Sequence, residues 1–340
     1  MIYVLILCVG LWLLGGVLGI AGRRRWLVIG AVWVLAFPVL CLPLDTSSDD
    51  LRVWVLVSLL VVVGVGYSFL IKGLKSQVKK PEIPGPGPPA FQPAELERYA
   101  RHIMLREIGG PGQKALKSAR VLVIGAGGLG SPSLMYLAAA GVGVIGVVDD
   151  DLVDASNLQR QIIHTTQSIG TTKVQSAKAA MLALNPFVDV RTILARLGED
   201  NAGLLADYDL VLDGSDNFDT RYLVNRVAAK AGKPLISAAI TQWEGQISVY
   251  DPAHGTPCYE CIFPHRPAPG MVPTCAEAGV AAPLPGVIGS MMAMEAVKHL
   301  VGAGEGLKGR LMIYDALYAE VRVIGIKRRD DCAVCGAGSG

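Results

Sequence analysis

Three long apolar runs open the chain, and none of them contains a charged side chain. Each approaches the ~20 residues that a helix needs to cross a hydrocarbon core of ~30 Å. The runs cover residues 2–22, 26–44 and 53–71. The pattern predicts a membrane anchor of about three transmembrane helices over residues 1–80.

The charges between these runs predict how the anchor is oriented. Arg23–Arg25 separate the first two runs, three aspartates precede the third, and four lysines follow it. Because positively charged loops stay in the cytoplasm, we expect a multi-pass protein of the cell membrane with everything after residue 80 on the cytoplasmic side. Two alternatives stay open. In one alternative the first run is a cleaved signal peptide, although no basic segment precedes it. In the other, Pro38 makes the second run a kinked or re-entrant segment.

After a proline-rich stretch at residues 81–93, which predicts an extended linker, the pattern changes. From residue 94 to 336, short β-branched runs alternate with stretches of helical periodicity. This alternation predicts an α/β domain with a Rossmann-like, mostly parallel sheet and helices on both faces. The predicted strands are Val121–Ile124, Val144–Val148, Val188–Leu194, Asp209–Asp213 and Leu235–Ile240. An antiparallel pair is expected to close the domain, at Arg310–Asp315 and Glu320–Lys327.

The first predicted strand–helix–strand unit carries a glycine-rich turn. Gly125, Gly127 and Gly130 follow the first strand in the order G-x-G-x-x-G, and Asp149 ends the second strand. Glycines let the backbone approach a phosphate, and the N-terminus of the next helix offers free N–H groups. A carboxylate about 20 residues on is where such folds bind a ribose hydroxyl. The unit predicts a nucleotide site without saying which nucleotide it binds.

More acidic residues follow the ends of the predicted strands. Asp151 lies two residues after Asp149, Asp213 ends the fourth strand, and Asp216 comes shortly after it. Because parallel strands end at one edge of their sheet, these carboxylates are expected around the nucleotide site. The polar segment 152–170 is too long for a tight connection, so we interpret it as part of the same site.

Composition adds one exclusion and one candidate metal site. The chain has 340 residues and a net charge of +2, which gives no reason to expect nucleic acid, a partner that usually demands a clustered basic face. Five of its seven cysteines lie between residues 258 and 335. Two C-x-x-C pairs have the make-up of a closed tetrahedral zinc site, at Cys258, Cys261, Cys332 and Cys335. Two redox motifs are the alternative, but neither pair opens a helix after a strand.

Several separated motifs together resemble the bacterial relatives of ubiquitin-activating enzymes, the sulfur-carrier adenylyltransferases of the MoeB/ThiF group. They are RYARHIML, GAGGLGS, DDDLVDASNLQRQ, GSDN, the C-x-x-C pairs and AGVAAPLPGVIGSMMAMEAVK. The resemblance covers about residues 93–336. It implies an ATP-dependent enzyme that adenylates the C-terminal glycine of a small ubiquitin-like sulfur carrier ending in Gly-Gly. The expected use is sulfur transfer of the molybdopterin or thiamine type.

The resemblance also implies which residues contact the nucleotide. The glycine turn would lie against the phosphates of ATP, through Gly125, Gly127, Gly128 and Gly130. Asp149 would bind the ribose, with Asp151 beside it in the nucleotide site.

The catalytic groups are implied in the same way. Asn157, Arg160 and Lys173 would contact the triphosphate and the charge that develops on it. Asp216 would hold Mg²⁺, a hard cation that prefers carboxylate oxygen. Arg101 would reach the ATP of the partner subunit, which implies a homodimer with shared sites.

Other interpretations stay open at this point. Cys275 stands where eukaryotic relatives carry a covalent cysteine, so an activator that forms a thioester there competes with adenylation alone, and with an inert cysteine. A nicotinamide-dependent oxidoreductase would use the same glycine turn, but no acid–base pair for hydride transfer stands out. A nucleotide-binding membrane scaffold would keep the fold without the chemistry.

Overall fold

The computed structural model describes residues 2–17, 26, 28–33, 52, 55–56, 58–60, 62–67, 70, 91–268, 271 and 275–336. The chain divides into two compact units, Met1–Gly87 and Pro88–Gly340. In the first unit, helix α1 covers Ile2–Val17.

The first unit corrects the predicted membrane anchor. Helix α1 has 16 residues, which makes it about 24 Å long, short of the ~30 Å that a hydrocarbon core requires. Among the described residues, no helix is both long enough and apolar enough to cross a membrane. The predicted transmembrane helices, and the multi-pass location in the cell membrane that followed from them, are therefore wrong for this part of the chain. Pro38, the charged positions at 23–25 and 45–50, and residues 81–90 of the predicted linker lie outside the described residues.

The second unit is organised around one sheet. In its described part the sheet has eight strands in the order β3-β2-β1-β4-β5-β6-β7-β8. In chain order they are β1 Arg120–Ile124, β2 Val144–Val148, β3 Asp189–Ile193, β4 Leu210–Asp213, β5 Leu235–Ile240, β6 Glu244–Tyr250, β7 Arg310–Asp315 and β8 Glu320–Gly325.

The sheet combines two kinds of strand pairing. Strands β3, β2, β1, β4 and β5 pair with one another in parallel, in that order. Strands β5, β6, β7 and β8 pair antiparallel. The predicted α/β class and the closing antiparallel pair are confirmed, but the sheet is mixed rather than mostly parallel. The strand order reverses between β1 and β4, which is where open α/β sheets leave a crevice for a ligand.

Helices cover both faces of this sheet. They are α2 Pro93–Ile103, α3 Gly109–Ser118, α4 Gly130–Ala140, α5 Lys173–Leu184, α6 Phe218–Lys230, α7 Tyr259–Ile262, α8 Cys275–Ala278 and α9 Pro283–Val301. Successive side chains of a strand point to opposite faces, and β1 supplies both layers of the core. Val121 and Val123 pack with α4, α5 and α9, whereas Leu122 and Ile124 pack in the layer that contains α6.

Two strands differ from the sequence-based expectation. Strand β6 was not predicted, although it lies centrally in the antiparallel half of the sheet and is buried along most of its length. Strand β8 was expected to bury one face and expose the other. All of its residues are exposed in the structure, because no helix covers this edge in the described part of the unit.

The glycine turn between β1 and α4 depends on two glycines for its shape. Gly125 has a φ of +90°, a left-handed conformation that glycine adopts without strain. Gly130 begins α4 so close to the turn that a Cβ there would lie 1.9 Å from the carbonyl oxygen of Gly125. The turn therefore brings the first residue of α4 directly onto the end of β1. This arrangement directs the N-terminus of the helix towards the crevice.

Candidate active site

The backbone of Ala126, inside the glycine turn, is held on both sides of its Cα. Its N–H donates to Asp149 Oδ2 at 2.8 Å. Its carbonyl oxygen accepts from His164 Nε2 at 2.9 Å, and the other ring nitrogen of His164 lies 2.9 Å from the hydroxyl of Ser176. Because a carbonyl only accepts, the neutral ring carries its proton on Nε2. The turn is thus tied to the end of β2 and to helix α5.

An acidic residue and a buried lysine extend this contact. The second oxygen of Asp149, Oδ1, accepts the backbone N–H of Asp151 at 2.9 Å. Lys173 Nζ lies 2.5 Å from Asp151 Oδ2, and its side chain is only 6% exposed. The structure therefore places Lys173, Asp151 and Asp149 in one connected group beside the turn.

The two ends of the long polar segment 152–170 lie close together. Leu152 and Thr172 form an antiparallel bridge, so the segment begins and ends side by side, and Lys173 follows directly. Within it, Arg160 Nη2 donates to Asn157 Oδ1 at 2.7 Å. The Cγ of Arg160 lies 3.7 Å from the position that a Cβ on Gly128 would occupy. Arg160 and Asn157 are thereby next to the glycine turn.

The connection from β4 to α6 lies on the other side of the turn. A Cβ on Gly125 would lie 3.1 Å from the carbonyl oxygen of Gly214. Asp216 follows two residues later and is exposed, and within the described residues its carboxylate has no hydrogen-bond partner. Asn217 caps α6 by accepting the N–H of Thr220 at 2.9 Å. The carboxylate of Asp216 is thus available to a ligand.

Of the two remaining candidate residues, one is not brought into this group and the other has no described side chain. Arg101 is exposed on α2, and its guanidinium contacts the sulfur of Met104 at 3.8 Å. Cys275 begins helix α8, but its side chain lies outside the described part of the structure.

The four predicted metal ligands do come together. Cys258 Sγ lies 3.8 Å from Cys261 Sγ and 3.5 Å from Cys332 Sγ, and Cys261 Sγ lies 3.4 Å from Cys335 Sγ. Four sulfurs at ~2.3 Å from a tetrahedral ion lie ~3.8 Å apart, so the donor set is compatible with zinc. Burial raises the pKa of Cys258, and it raises the pKa of Cys335 to about 11. A cation is therefore needed to keep these thiols ionised.

Burial also shifts the two groups that hold the turn. It raises the pKa of the Asp149 carboxyl, against the hydrogen bond from Ala126 and the positive charge of Lys173. It lowers the pKa of His164 below 6.5, against the hydrogen bond with Ala126. The turn is therefore held by a carboxylate next to a lysine and by a histidine that stays neutral at pH 7.

Sequence reasoning missed three residues that line or support the turn. They are His164, Gln161, whose Nε2 lies 3.5 Å from the position of a Cβ on Gly127, and Pro285, which would contact a Cβ on Gly128 at 3.0 Å. Gln161 and His164 lie in or next to the polar segment already singled out, so that segment was the available signal. Pro285 gave none, because nothing local indicates that α9 begins against the turn.

Together these groups have the chemistry that a polyanion requires. The glycine turn and the N-terminus of α4 offer backbone N–H groups. Arg160 and Lys173 add positive charge, and Asp216 offers free carboxylate oxygens to a hard cation. Such a site is suited to a nucleotide phosphate chain.

Comparison with known proteins identifies the class. A family model described as the ThiF family matches residues 99–334. The chain therefore belongs to the ThiF family.

Individual relatives agree with this. The chain is 51% identical over 247 residues to the sulfur carrier protein adenylyltransferase of Thermus thermophilus, a match that covers 71% of this chain and 91% of that protein. It is also 51% identical over 251 residues to the probable adenylyltransferase/sulfurtransferase MoeZ of Mycobacterium tuberculosis, and this match covers 71% of this chain but only 64% of that protein. Among solved structures, E. coli MccB with MccA-N7isoASN superimposes with a TM-score of 0.62 at 23% identity, over 70% of this chain and 74% of that one, which supports the fold alone.

The neutral state of His164 leads to a test of stability against pH. The unfolded chain binds a proton on this histidine below a pKa of about 6.5, whereas the folded chain resists it. The contribution of the neutral His164 to the free energy of unfolding is therefore fully present above pH 6.5. It is lost as the pH falls towards the lower pKa of this histidine in the folded chain.

We expect the free energy of unfolding of the wild type to fall more steeply than that of His164→Gln below about pH 6.5, by up to ~1.4 kcal/mol per pH unit. Urea unfolding between pH 8 and pH 5 measures both slopes. At pH 8 the two proteins differ only by a constant offset from the lost hydrogen bonds. Parallel slopes throughout the range would contradict the assignment of a buried neutral imidazole.

Proposed function

We propose that this chain is a nucleotidyltransferase that uses ATP to adenylate the C-terminal glycine of a ubiquitin-like sulfur-carrier protein and releases pyrophosphate. Membership of the ThiF family and the adenylyltransferases among its relatives support this. The observation that carries it is the grouping of Arg160, Lys173 and Asp149 around the glycine turn. The relatives named above are not oxidoreductases, which argues against the nicotinamide alternative.

The reaction explains why the site needs these charges. The carboxylate of the carrier must attack the α-phosphate, so two anions approach each other while negative charge moves onto the leaving pyrophosphate. Arg160, through its guanidinium, and Lys173, through its ammonium, lower the cost of that approach. Because Lys173 is buried, its charge acts with little screening by water. Asp216 would hold Mg²⁺, which when bound would neutralise part of the phosphate charge.

The remaining groups orient the nucleotide. The N–H groups of Gly127 and Gly128 would face the phosphates, and Asn157 would position Arg160 through their hydrogen bond. Asp149 would accept a ribose hydroxyl with the lone pairs that its two backbone bonds leave free.

Arg101 has a different place in the proposal. It is exposed on α2 and contacts Met104, which suits a residue that acts on a second copy of the chain. We therefore propose a homodimer in which Arg101 completes the partner's site.

A zinc ion held by Cys258, Cys261, Cys332 and Cys335 completes the proposal. With four protein ligands there is no open position for substrate, so the ion would have a structural role. We propose sulfur transfer as the use of the activated carrier, which the names of both relatives support. The molybdopterin or thiamine type is what the resemblance of the sequence motifs implies.

Adenylation is tested by exchange of labelled pyrophosphate into ATP, in the presence of carriers that end in Gly-Gly. We expect carrier-dependent exchange by the wild type and a loss of ~10²–10³ in Asp216→Asn, because the amide is a weaker ligand for Mg²⁺ than the carboxylate. The matched control is Asp219→Asn, since Asp219 is an exposed acid in the first turn of α6 and pairs with Arg266 instead. No exchange with any carrier, or an unchanged rate in Asp216→Asn, would refute the assignment.

Shared sites are tested by mixing two inactive variants. In a dimer of Arg101→Ala with Asp216→Asn, one site has both intact groups and the other has neither. Random pairing of equal amounts then restores about a quarter of the wild-type exchange rate, since half the dimers are mixed and each has one working site. Subunits are exchanged by dilution and reconcentration before the assay. If the mixture stays as inactive as its components, Arg101 does not act across the interface.

The metal is tested by composition and stability. We expect about one zinc ion per wild-type chain by elemental analysis, and loss of that zinc in Cys335→Ser together with a lower free energy of unfolding. Cys8→Ser is the control, since Cys8 is buried in α1 and lies outside the cluster. Full zinc content in Cys335→Ser would show that the cluster does not hold the ion.

A further inference from the structure

Arg221, in the first turn and a half of α6, is a buried guanidinium that the proposed reaction does not use. Only 6% of the residue is exposed, and within the described residues no carboxylate pairs with it directly. Its Nη2 donates to the carbonyl oxygen of Ser215 at 2.7 Å, and its Nη1 donates to that of Ala238 at 2.9 Å. Burying a charge without a direct counter-ion is costly, so its position calls for an explanation.

The nearest negative charge in this network is a carboxylate that interacts with Arg221 through the hydroxyl of one serine. Asp213, at the end of β4, is fully buried. Its Oδ2 accepts the hydroxyl of Ser237 at 2.9 Å, and the same hydroxyl oxygen lies 3.4 Å from Arg221 Nη1. Ser237 therefore bridges the carboxylate and the guanidinium, and links β4, β5 and α6 in one buried network.

This network fixes Ser215 almost completely. Asp213 Oδ1 accepts both the N–H of Ser215, at 3.0 Å, and its hydroxyl, at 2.6 Å, while Arg221 holds its carbonyl. The next residue, Asp216, is exposed, and its carboxylate is free within the described residues. On its other side, Asn217 is fixed as the cap of α6. The backbone is thus held on both sides of one free carboxylate.

The far side of Arg221 is closed as well. Its Cζ lies 6.0 Å from the centre of the Tyr259 ring. Tyr259 follows Cys258 of the cysteine cluster, and its N–H donates to Asn225 on α6 at 2.8 Å. The ring thus lies beside the guanidinium, and its backbone is tied to α6.

We propose that Arg221 is a positioning residue for adenylation: through Ser215 and Ser237 it fixes the β4–α6 connection so that the Asp216 carboxylate is set in place for Mg²⁺. This inference rests on the proposed function of Asp216. Mg²⁺ demands nearly ideal octahedral geometry, so a ligand on a mobile connection must first be ordered and binds the ion less tightly. The buried pair of Asp213 and Arg221 would order the connection before Mg²⁺ binds, so that the ion does not have to order it.

The test is the Mg²⁺ concentration that gives half-maximal pyrophosphate exchange at saturating ATP and carrier. In Ser237→Ala the bridge is lost with little change in volume, and we expect this concentration to rise roughly fivefold, the effect of losing about one hydrogen bond. Ser248→Ala is the matched control. Ser248 is equally buried, lies opposite Ser237 in the β5–β6 register, and donates instead to the carbonyl of Arg310. Its Mg²⁺ requirement should stay at the wild-type value.

Arg221→Lys and Arg221→Met extend the series. A lysine retains the charge but not the fork that reaches two carbonyls, so we expect a rise between that of the wild type and that of the methionine variant. Arg226→Lys, at a largely exposed position of the same helix, should behave as the wild type. Urea unfolding of each variant separates loss of folding from loss of positioning, and Ser237→Ala serves if the Arg221 variants do not fold.

The outcomes are distinguishable. Absence of exchange in the wild type refutes the proposed function itself. If the wild type exchanges but Ser237→Ala and the folded Arg221 variants keep its Mg²⁺ requirement, the positioning role is refuted, even where their maximal rate or stability falls. A raised Mg²⁺ requirement in Ser237→Ala with an unchanged one in Ser248→Ala supports it.

Discussion

The double hold on the backbone of Ala126, on the peptide group before its Cα and on the one after it, is the constraint on which the rest of the site depends. Asp149 accepts its N–H and His164 donates to its carbonyl. Because a trans peptide is planar, the bond to the Ala126 carbonyl also orients the N–H of Gly127, which lies in the same peptide plane, while the bond to the Ala126 N–H fixes the plane before it. The same Asp149 holds Asp151, which pairs with Lys173. Two adjacent peptide planes are thus held in the turn, and Asp149 links them through Asp151 to Lys173.

Two pairs of oppositely charged residues lie beside the crevice, and they are built differently. Beside β2, Lys173 and Asp151 form a direct ion pair that reaches solvent through Asp151. Beside β4, Asp213 and Arg221 are wholly buried and interact through the hydroxyl of Ser237. The first arrangement has an exposed member, Asp151. The second satisfies its groups internally and leaves only the neighbouring Asp216 free.

Sequence reasoning found what is local and missed what is distant. The glycine turn with Asp149 belongs to one strand–helix–strand unit, and each cysteine pair is a short motif with the spacing of a metal site. Such local patterns could be predicted from the sequence. His164 and Arg221 act on partners 38 and 17 residues away, and no periodicity encodes such a contact. The anchor failed for another reason. Mean hydropathy shows that a run is apolar but not how long its helix is. Helix α1 ends at Val17, and a membrane-spanning helix needs a longer continuous apolar stretch.

The cysteine cluster has a consequence for the order in which the chain folds. Its two pairs are 74 residues apart, and strands β7 and β8 lie between them. An ion bound by all four thiolates would close this long loop in the folded chain, and its binding free energy would be part of the free energy of folding. Because β7 and β8 lie between the two pairs, full coordination would have to await these strands. Metal binding would thus stabilise the chain only once its carboxyl-terminal strands have reached their native path.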